Sequence, residues 1–528
     1  SDVRAQGAYL NVLLDPSLTL SRVIEDVERT GESYGTSEPQ TGIGETLFEY
    51  ANPNTHKEIH VGHLRNFVMG AAIVRMLAAS GRDVVPLSYV NDVGNNVANC
   101  LWQLVRRRGV GVRTLDDGQA HRLMHETEPE NRHGRFLGLI YTEAVLAVEQ
   151  DESLKQEVSF VQHALETHDE AWEHLWRETR RWCVEELQEI FDELGVHVER
   201  QYFESDLIDR SQDTVDDLER RGIAKRSEGA LVVDLEQEGL GVALIRKTDG
   251  TLLYASKDLA LAELKIKEYP DLSASIVLVD NRQSLYFKQL AVMLRRLGYA
   301  QTFGMVGFEL VTLKEGVMSS RKGNVVTYQS FRDAVLAEAR KEVIKRHEDW
   351  SEGKVAYASW AIAMAAVKFG MLKQDGDRPI TFDLAQQLAF DGATGPYCQY
   401  AATRLGAIIS KSKQQETKNQ IKKHKRQINL KTAKNQNTNN KTQTTKRLAM
   451  TIAMLPERVI EAADAYRPST IAQWCLEMAK TVNDFYRDVP VLSAPLEERE
   501  MLLRLVAAAR QTLQNGLALL GIATLEEM

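Results

Sequence analysis

Between Thr46 and Val90 the apolar residues change period twice. TLFEY (Thr46–Tyr50) is a short apolar run of the kind that forms a buried strand. The polar stretch ANPNTHKEI follows. HVGH then opens a segment in which Leu64, Phe67, Val68, Ala71, Ile73, Val74 and Leu77 recur at helical spacing to about Ala79. Gly81 ends it, and DVVPLSYV reads as the next strand, which completes a βαβ unit. Residues from about 105 to 200 are charged and helical in period, with Trp172, Trp176 and Trp182 along one long segment. They predict a helical insertion between two halves of a sheet. Strand-like runs return at ALVVDL (Ala230–Leu235), VALIRK and SIVLVD (Ser275–Asp280), alternating with helices. From about 355 onward the pattern predicts helix alone, hence an all-α C-terminal domain. No internal repeat stands out. The fold class expected is α/β: a doubly wound parallel sheet with a helical insertion, followed by a helical bundle.

At 528 residues the chain is long enough for roughly three to four domains. Its 43% hydrophobic and 26% charged residues are ordinary for a globular protein. No unbroken apolar run reaches the length of a membrane span, so none is expected. The opening SDVRAQGAYLNVLL has no basic stretch leading into an apolar core, which argues against a signal peptide. It lacks an initial Met, so a processed or missing N-terminus is expected. Cys100, Cys183, Cys398 and Cys475 are widely spaced, as suits a reducing cytoplasm better than a disulfide framework or zinc ribbon.

The net charge of −9 speaks weakly against a nucleic-acid partner. Residues 411–447 reverse that locally, with twelve Lys and Arg against one acid, Glu416.

Two short stretches carry candidate chemistry. HVGH (His60–His63) stands at a helix start, and an H-x-G-H is expected by chance only roughly 0.02 times in such a chain. A glycine there lets a nucleoside approach the backbone, free helix N–H groups suit phosphate, and two imidazoles can donate to phosphate oxygens. The bland alternative is a helix cap with incidental histidines. A zinc site from His56, His60 and His63 lacks any further partner of the usual kind, so no zinc is expected. The second stretch is VMSSRKGNVV (Val317–Val326), whose cations and hydroxyls suit a mobile clamp on pyrophosphate. Alone it reads as a solvated turn.

HVGH followed by MSSRKGN resembles the two signatures of class I aminoacyl-tRNA synthetases. The surroundings resemble the arginyl-tRNA synthetases in particular: FEYANPNTHKEIHVGHLRN, YVNDVGNN (Tyr89–Asn96) and TDGTLLYASKDLALAEL (Thr248–Leu264). ATGPYCQYAATR (Ala393–Arg404), NDFYRDVPVL and GLALLGIATLEEM resemble that family's helical anticodon-binding domain. The resemblance runs from about residue 8 to the C-terminus, apart from 411–447. It implies a Rossmann-type catalytic domain over 41–385, an anticodon-binding domain over 386–528 and, at 1–40, a remnant of an N-terminal tRNA-binding domain.

The resemblance also implies roles. His60, Gly62 and His63 would bind ATP together with Met318, Ser319, Lys322 and Gly323, and Ser320 and Arg321 would complete the clamp. Glu49, Asn54, Tyr254, Asp258 and Gln283 would line an arginine pocket, the match at Gln283 being the loosest. Carboxylates such as Asp258 and Glu49 suit a planar, permanently charged guanidinium. Asp258 could instead be a helix N-cap. Tyr397, Gln399, Tyr400, Arg404, Asn483 and Tyr486 would touch tRNA.

This sequence departs from the usual Lys-Met-Ser-Lys-Ser clamp, with Val317 and Ser320 in place of the lysines. Lys57, just before the first signature, stands where many arginine-specific members place a compensating cation. The short front segment puts full tRNA affinity in question. The activity implied is arginine–tRNA ligation, with ATP as substrate accompanied by Mg²⁺, in a cytoplasmic monomer that has no membrane partner. Rivals are another adenylyltransferase of the same class and a non-catalytic tRNA-binding paralogue. For 411–447 a basic arm, an inert linker and a slipped reading frame over an A-rich stretch compete. Each of them expects the segment to be exposed and to form no part of a core.

Overall fold

The chain enters through a hairpin, β1 (Asp2–Gln6) against β2 (Tyr9–Leu13). This computed structural model describes every residue except Ser1, Ala8, Leu14, Pro129, Asn131, Asp249 and the stretches 315–325 and 423–437. The helix Pro16–Thr30 next lies against the C-terminal bundle. Glu28 pairs with Arg504 at 2.6 Å, and the Asn515 amide donates to the carbonyls of Gly31 and Tyr34 at 3.0 Å. The front segment is thus part of the bundle's packing.

Beyond it come β3 (Glu45–Glu49), the helix Val61–Ala79, β4 (Val84–Val90) and, past the insertion, β5 (Arg200–Phe203). β6 (Lys225–Ser227), β7 (Ala230–Asp234) and β8 (Val242–Arg246) form a separate antiparallel sheet. The ALVVDL and VALIRK runs therefore lie outside the main sheet. Their alternation is the reason: Ala243 and Ile245 point into a core while Val242 and Leu244 face out, the mark of a sheet wet on one side. β9 (Leu272–Asp280) and β10 (Thr302–Phe308) return to the main sheet, which is five-stranded, parallel and ordered β10-β9-β3-β4-β5. The chain winds outward from β3 on one side, then crosses back to β9. That reversal opens a crevice at the carboxyl ends of β3 and β9, where doubly wound sheets bind ligands. Glu49 ends β3 and Asp280 ends β9.

β11 (Val311–Leu313) pairs in parallel with β12 (Ile380–Phe382), a strand within a region that reads only as helix. Three residues are too few to show a period. Between these strands runs the helix Glu352–Leu372, long and apolar enough to cross a membrane by composition. Here it is a core helix, with 83% of its most apolar window buried inside the protein. Lys354 and Lys368 interrupt its apolar run, and the buried Lys368 ammonium donates to the Gly521 carbonyl at 2.7 Å.

The insertion comprises the helices Asn95–Arg107, Asp117–Glu126, Gly134–Gln150, Lys155–Glu166 and Glu170–Leu194. It has its own core, with Trp102, Trp172 and Trp182 in it. The C-terminal bundle contains Gly395–Lys422, Thr438–Ala453, Leu455–Asp464, Pro468–Asp488 and Leu496–Leu519. The basic segment does not stay outside it. Two helices run into 411–447 from its ends, and Ser412, Thr444 and Thr445 are buried. Both threonine hydroxyls return to carbonyls four residues back, at 2.8 Å, so their burial leaves no unpaired donor. Lys441 pairs with Glu498. The middle of the segment, 423–437, lies outside the described residues.

The helix Val61–Ala79 passes close to the residue that follows β3. A Cβ on Gly70 would lie 2.1 Å from the Tyr50 ring, which is fully buried and held by its hydroxyl to the His197 carbonyl at 2.5 Å. Gly70→Ala is therefore expected to destabilise the chain by about 1–3 kcal/mol despite better helix propensity. A urea unfolding midpoint equal to that of the unsubstituted protein would contradict this.

Candidate active site

The loop from β3 to the first helix is held in a shape its residues resist. Ala51 and His56 both have positive φ, 54° and 59°. Asn66 accepts from Ala51 N–H at 2.7 Å, and Ser88 donates to the Ala51 carbonyl at 2.6 Å. His56 is wholly buried, and its ring nitrogens are spent on Thr55 and Thr179, each at 2.9 Å. Burial drops its pKa to about 3.

His60 caps the helix that follows. Its Nδ1 accepts from Gly62 N–H at 3.0 Å, and His63 Nδ1 accepts from His60 N–H at 3.2 Å. Each backbone donor places the neutral ring's proton on Nε2. Burial lowers both pKa values, that of His63 to about 3, and the neighbouring charge of Lys57 acts in the same sense. At neutral pH the pair is two adjacent N–H donors, with centroids 3.8 Å apart and rings tilted by 38°, and carries no charge. A Cβ on Gly62 would strike the His60 ring at 2.8 Å, so the glycine is required for the cap itself.

Lys57 supplies the local cation. It is half-buried, which lowers its pKa, and its ammonium lies 5.0 Å from the centre of the Tyr141 ring on the insertion. It borders a cavity of about 400 Å³ that Asn54, Glu58, Arg135 and Glu186 also line.

The clamp residues Met318, Ser319, Ser320, Arg321, Lys322 and Gly323 fall outside the described residues. Both roots of their loop are placed. The entering root is β11, extended by Lys314, which pairs with Asp383 at 2.6 Å. The leaving root is stitched to HVGH: Val61 N–H donates to Val326 O at 3.1 Å and Tyr328 N–H to Ile59 O at 2.7 Å. Tyr328 and Arg332 then both reach Glu193 of the insertion at 2.7 Å. Arg65, buried one turn into the HVGH helix, donates to the carbonyls of Glu309, Asp375 and Arg378 at 2.6–2.9 Å.

A second cavity, of about 450 Å³, lies at the end of β3 and is lined by Glu49, Asp258 and Lys265. Only two of the five residues expected around arginine meet there. Glu49 is committed to Lys265 in a buried ion pair and accepts from Asn52 at 2.7 Å. Asp258 stands one turn inside the helix Tyr254–Glu268, so it is no N-cap; the Tyr286 hydroxyl donates to it. Burial lifts its pKa to about 7, partly opposed by that hydrogen bond. Asn54 borders the first cavity, while Tyr254, 69% exposed, and Gln283 lie at element ends on the surface. Sequence reading missed Lys265 and Tyr286. The signal for Lys265 was available: it follows Asp258 by seven residues, two turns along one helix face.

In the bundle, Arg404 donates to Asn483 at 2.7 Å and to the Tyr400 hydroxyl at 3.3 Å. Its guanidinium lies 4.4 Å from the Tyr400 ring centre and 5.1 Å from that of Tyr486, which is 45% exposed. Tyr397 is partly buried against the core. Gln399 corrects the sequence expectation: it is fully buried, and its amide donates to the carbonyls of Ala361 and Ala523, so it faces no partner molecule.

Residues 36–383 match the family described as tRNA synthetases class I (R), catalytic domain, and 398–528 match the DALR anticodon binding domain. The arginine–tRNA ligase of Bdellovibrio bacteriovorus is 32% identical over 99% of this chain and 86% of its own. That of Chloroflexus aggregans is 31% identical over 100% and 87%. The structure of Thermus thermophilus arginyl-tRNA synthetase aligns with a TM-score of 0.79 and 27% identity, covering 100% of this chain and 88% of that one.

Asp258 makes folding pH-dependent. Its pKa of about 7 lies above the ordinary carboxyl value of about 4, so between these limits the folded chain keeps a proton the unfolded chain has released. Its contribution to stability is therefore present below that window and lost as pH rises through it. Asp258→Asn should remove this component and gain stability over the unsubstituted protein between about pH 5 and about pH 8. Parallel urea midpoints for the two proteins across that range would refute it.

Proposed function

The chain belongs to the class I arginyl-tRNA synthetases and is an arginine–tRNA ligase; on that premise we propose which of its residues carry the reaction. The arginine carboxylate attacks the α-phosphorus of ATP, the bond to the β-phosphate oxygen breaks, and pyrophosphate leaves. A terminal ribose hydroxyl of tRNA then attacks the arginyl carbonyl and releases AMP. Neither step needs a covalent enzyme nucleophile, so positioning and charge stabilisation carry catalysis.

One observation supports this reading above the rest. Two neutral imidazoles with Nε2–H donors sit at a helix start in the sheet's crevice, hydrogen-bonded through Val61 to the root of the loop that carries the second signature. The helix start and His60, Gly62 and His63 bind the phosphates. Ser319, Ser320, Arg321 and Lys322, with Met318 and Gly323, close on the leaving pyrophosphate. Being uncharged, the histidines hydrogen-bond phosphate oxygens, and Lys57 provides the positive charge that Ser320 does not. Mg²⁺ would accompany ATP as part of the substrate and would supply charge neutralisation to its phosphates. Among the described residues no three His, Cys, Asp or Glu side chains group so as to hold a metal ion.

Asp258 is the guanidinium's carboxylate partner, because the charge of Glu49 is already matched by Lys265. Glu49 and Lys265 shape the cavity, and Asn54, Tyr254 and Gln283 close over the substrate only if their segments move inward. Tyr400, Arg404, Asn483 and Tyr486, flanked by Tyr397, form a stacking surface for unpaired tRNA bases. The enzyme acts as a cytoplasmic monomer.

Arginine-dependent exchange of pyrophosphate into ATP, measured with tRNA present, tests the whole reading; no exchange above background would overturn it. In that assay Asp258→Asn should raise the Michaelis constant for arginine by the equivalent of about 2–5 kcal/mol and leave that for ATP nearly unchanged. An unaltered arginine dependence in the folded variant removes Asp258 from the pocket.

Lys57→Ala should slow adenylate formation more than it weakens arginine binding, and adding Ser320→Lys should restore part of the rate. An activation rate within about twofold of the parent's would show that Lys57 is not the missing cation.

A further inference from the structure

The insertion carries another cavity, of about 500 Å³, bordered by the helices Asp117–Glu126 and Glu170–Leu194. Three imidazoles meet at it. The His121 ring centre lies 4.8 Å from that of His125, one turn on, and 5.5 Å from that of His174 on the facing helix. Arg132 and Arg181 also line it. Glu178 is the one acid among the described lining residues, and Arg181 is shared between it and Glu185, at 2.9 and 2.8 Å. The donors left to the wall are therefore the imidazole N–H groups and the part of the Arg132 guanidinium that its carbonyl bonds do not use. Arg132 is held in place by its bonds to the carbonyls of Thr127 and His125, at 2.9 and 3.1 Å.

Trp182 supplies the observation that points to a ligand. It lines the cavity, is only 2% exposed, and its indole N–H has no hydrogen-bond partner. Buried N–H groups are almost always paired, so an unpaired one beside a donor-lined hole marks a place for an external acceptor. A metal does not fit the same residues, because the described side chains include no group able to hold one.

We propose that this cavity is an oxyanion pocket that takes a phosphate group. His121, His125 and His174 supply directional donors, Arg132 the charge, and Trp182 the buried N–H. A phosphate brings several strong acceptor oxygens and a negative charge, which matches this donor set, whereas a neutral amide or hydroxyl would leave most of it unused. The same chemistry is offered by the backbone of an RNA and by a free phosphate ion.

The test reads the Trp182 indole N–H resonance in protein labelled with ¹⁵N-tryptophan, assigned through Trp182→Phe. Titrating inorganic phosphate at millimolar concentration should shift this resonance downfield and saturate. A short RNA hairpin that saturates it at roughly tenfold lower concentration identifies the RNA backbone as the source, and an equal or weaker response identifies the free ion. His121→Leu with His174→Leu should weaken the response roughly tenfold or more. Should that pair misfold, Arg132→Met must weaken it alone. A resonance unmoved by either titrant, moved equally in the variants, or moved by zinc but not by phosphate overturns the assignment.

Discussion

The geometry of the crevice hangs on one buried guanidinium. Arg65 projects from the HVGH helix into a site with no solvent, where its terminal nitrogens donate to three backbone carbonyls, those of Glu309, Asp375 and Arg378, and its Nε has no partner among the described residues. Among the described residues no carboxylate accepts from it. Burial lowers its pKa to about 10, partly opposed by the nearby charges of Glu309 and Asp377, and still far above neutrality, so a full charge is held here by peptide dipoles and two carboxylates at a distance. Those carbonyls flank β11, the entering root of the clamp loop, and its partner strand β12. Asp375 in turn accepts from Ser469 at the head of a bundle helix. The two signatures and the bundle are thereby registered to one another through a single side chain.

Charge is distributed around that anchor so that very little is left unmatched. Glu49 is offset by Lys265, Glu204 by Lys257 and Asp92 by Arg180. Near the crevice these pairs leave a half-buried Lys57, bordering a cavity that Glu58, Arg135 and Glu186 also line, and a carboxyl, Asp258, held near its own titration point. A site prepared for a triphosphate and a cationic substrate carries little uncompensated charge of its own; the substrates bring charge that the site is shaped to match.

The catalytic motifs were legible because they coincide with strong local patterns. TLFEY, the HVGH helix and SIVLVD are long or apolar enough for period to reveal them; HVGH is rare enough to be seen unaided, and SSRKGN gains meaning only from following it in this order. Short or glycine-bearing strands were not: β5 is four residues of RQYF, and β10 contains Gly304 and Gly307. The β1–β2 hairpin and β12 likewise left no periodic trace. Gln399 misled because a polar residue in a tRNA-like motif suggests exposure, whereas its amide completes backbone bonding at a helix crossing. The neutrality of His60 and His63 could not be read at all, since it comes from burial and from Lys57. In the basic segment, composition masked the threonines that join the bundle, because a hydroxyl that bonds its own helix can be buried at little cost.

The insertion has a core of its own, but its last helix spans two cores: Trp172 and Trp182 lie in the insertion's core, while Leu187, Ile190, Phe191 and Leu194 lie in the sheet's. The first four helices and the start of the fifth can therefore open as a cooperative unit without melting the sheet. Because Thr179, which holds His56, lies in that part, each such opening would also loosen the loop ahead of HVGH. The enzyme would then fluctuate between an assembled and a dismantled catalytic centre while its global fold persists, and heat could silence activity at temperatures where unfolding of the whole chain has not begun.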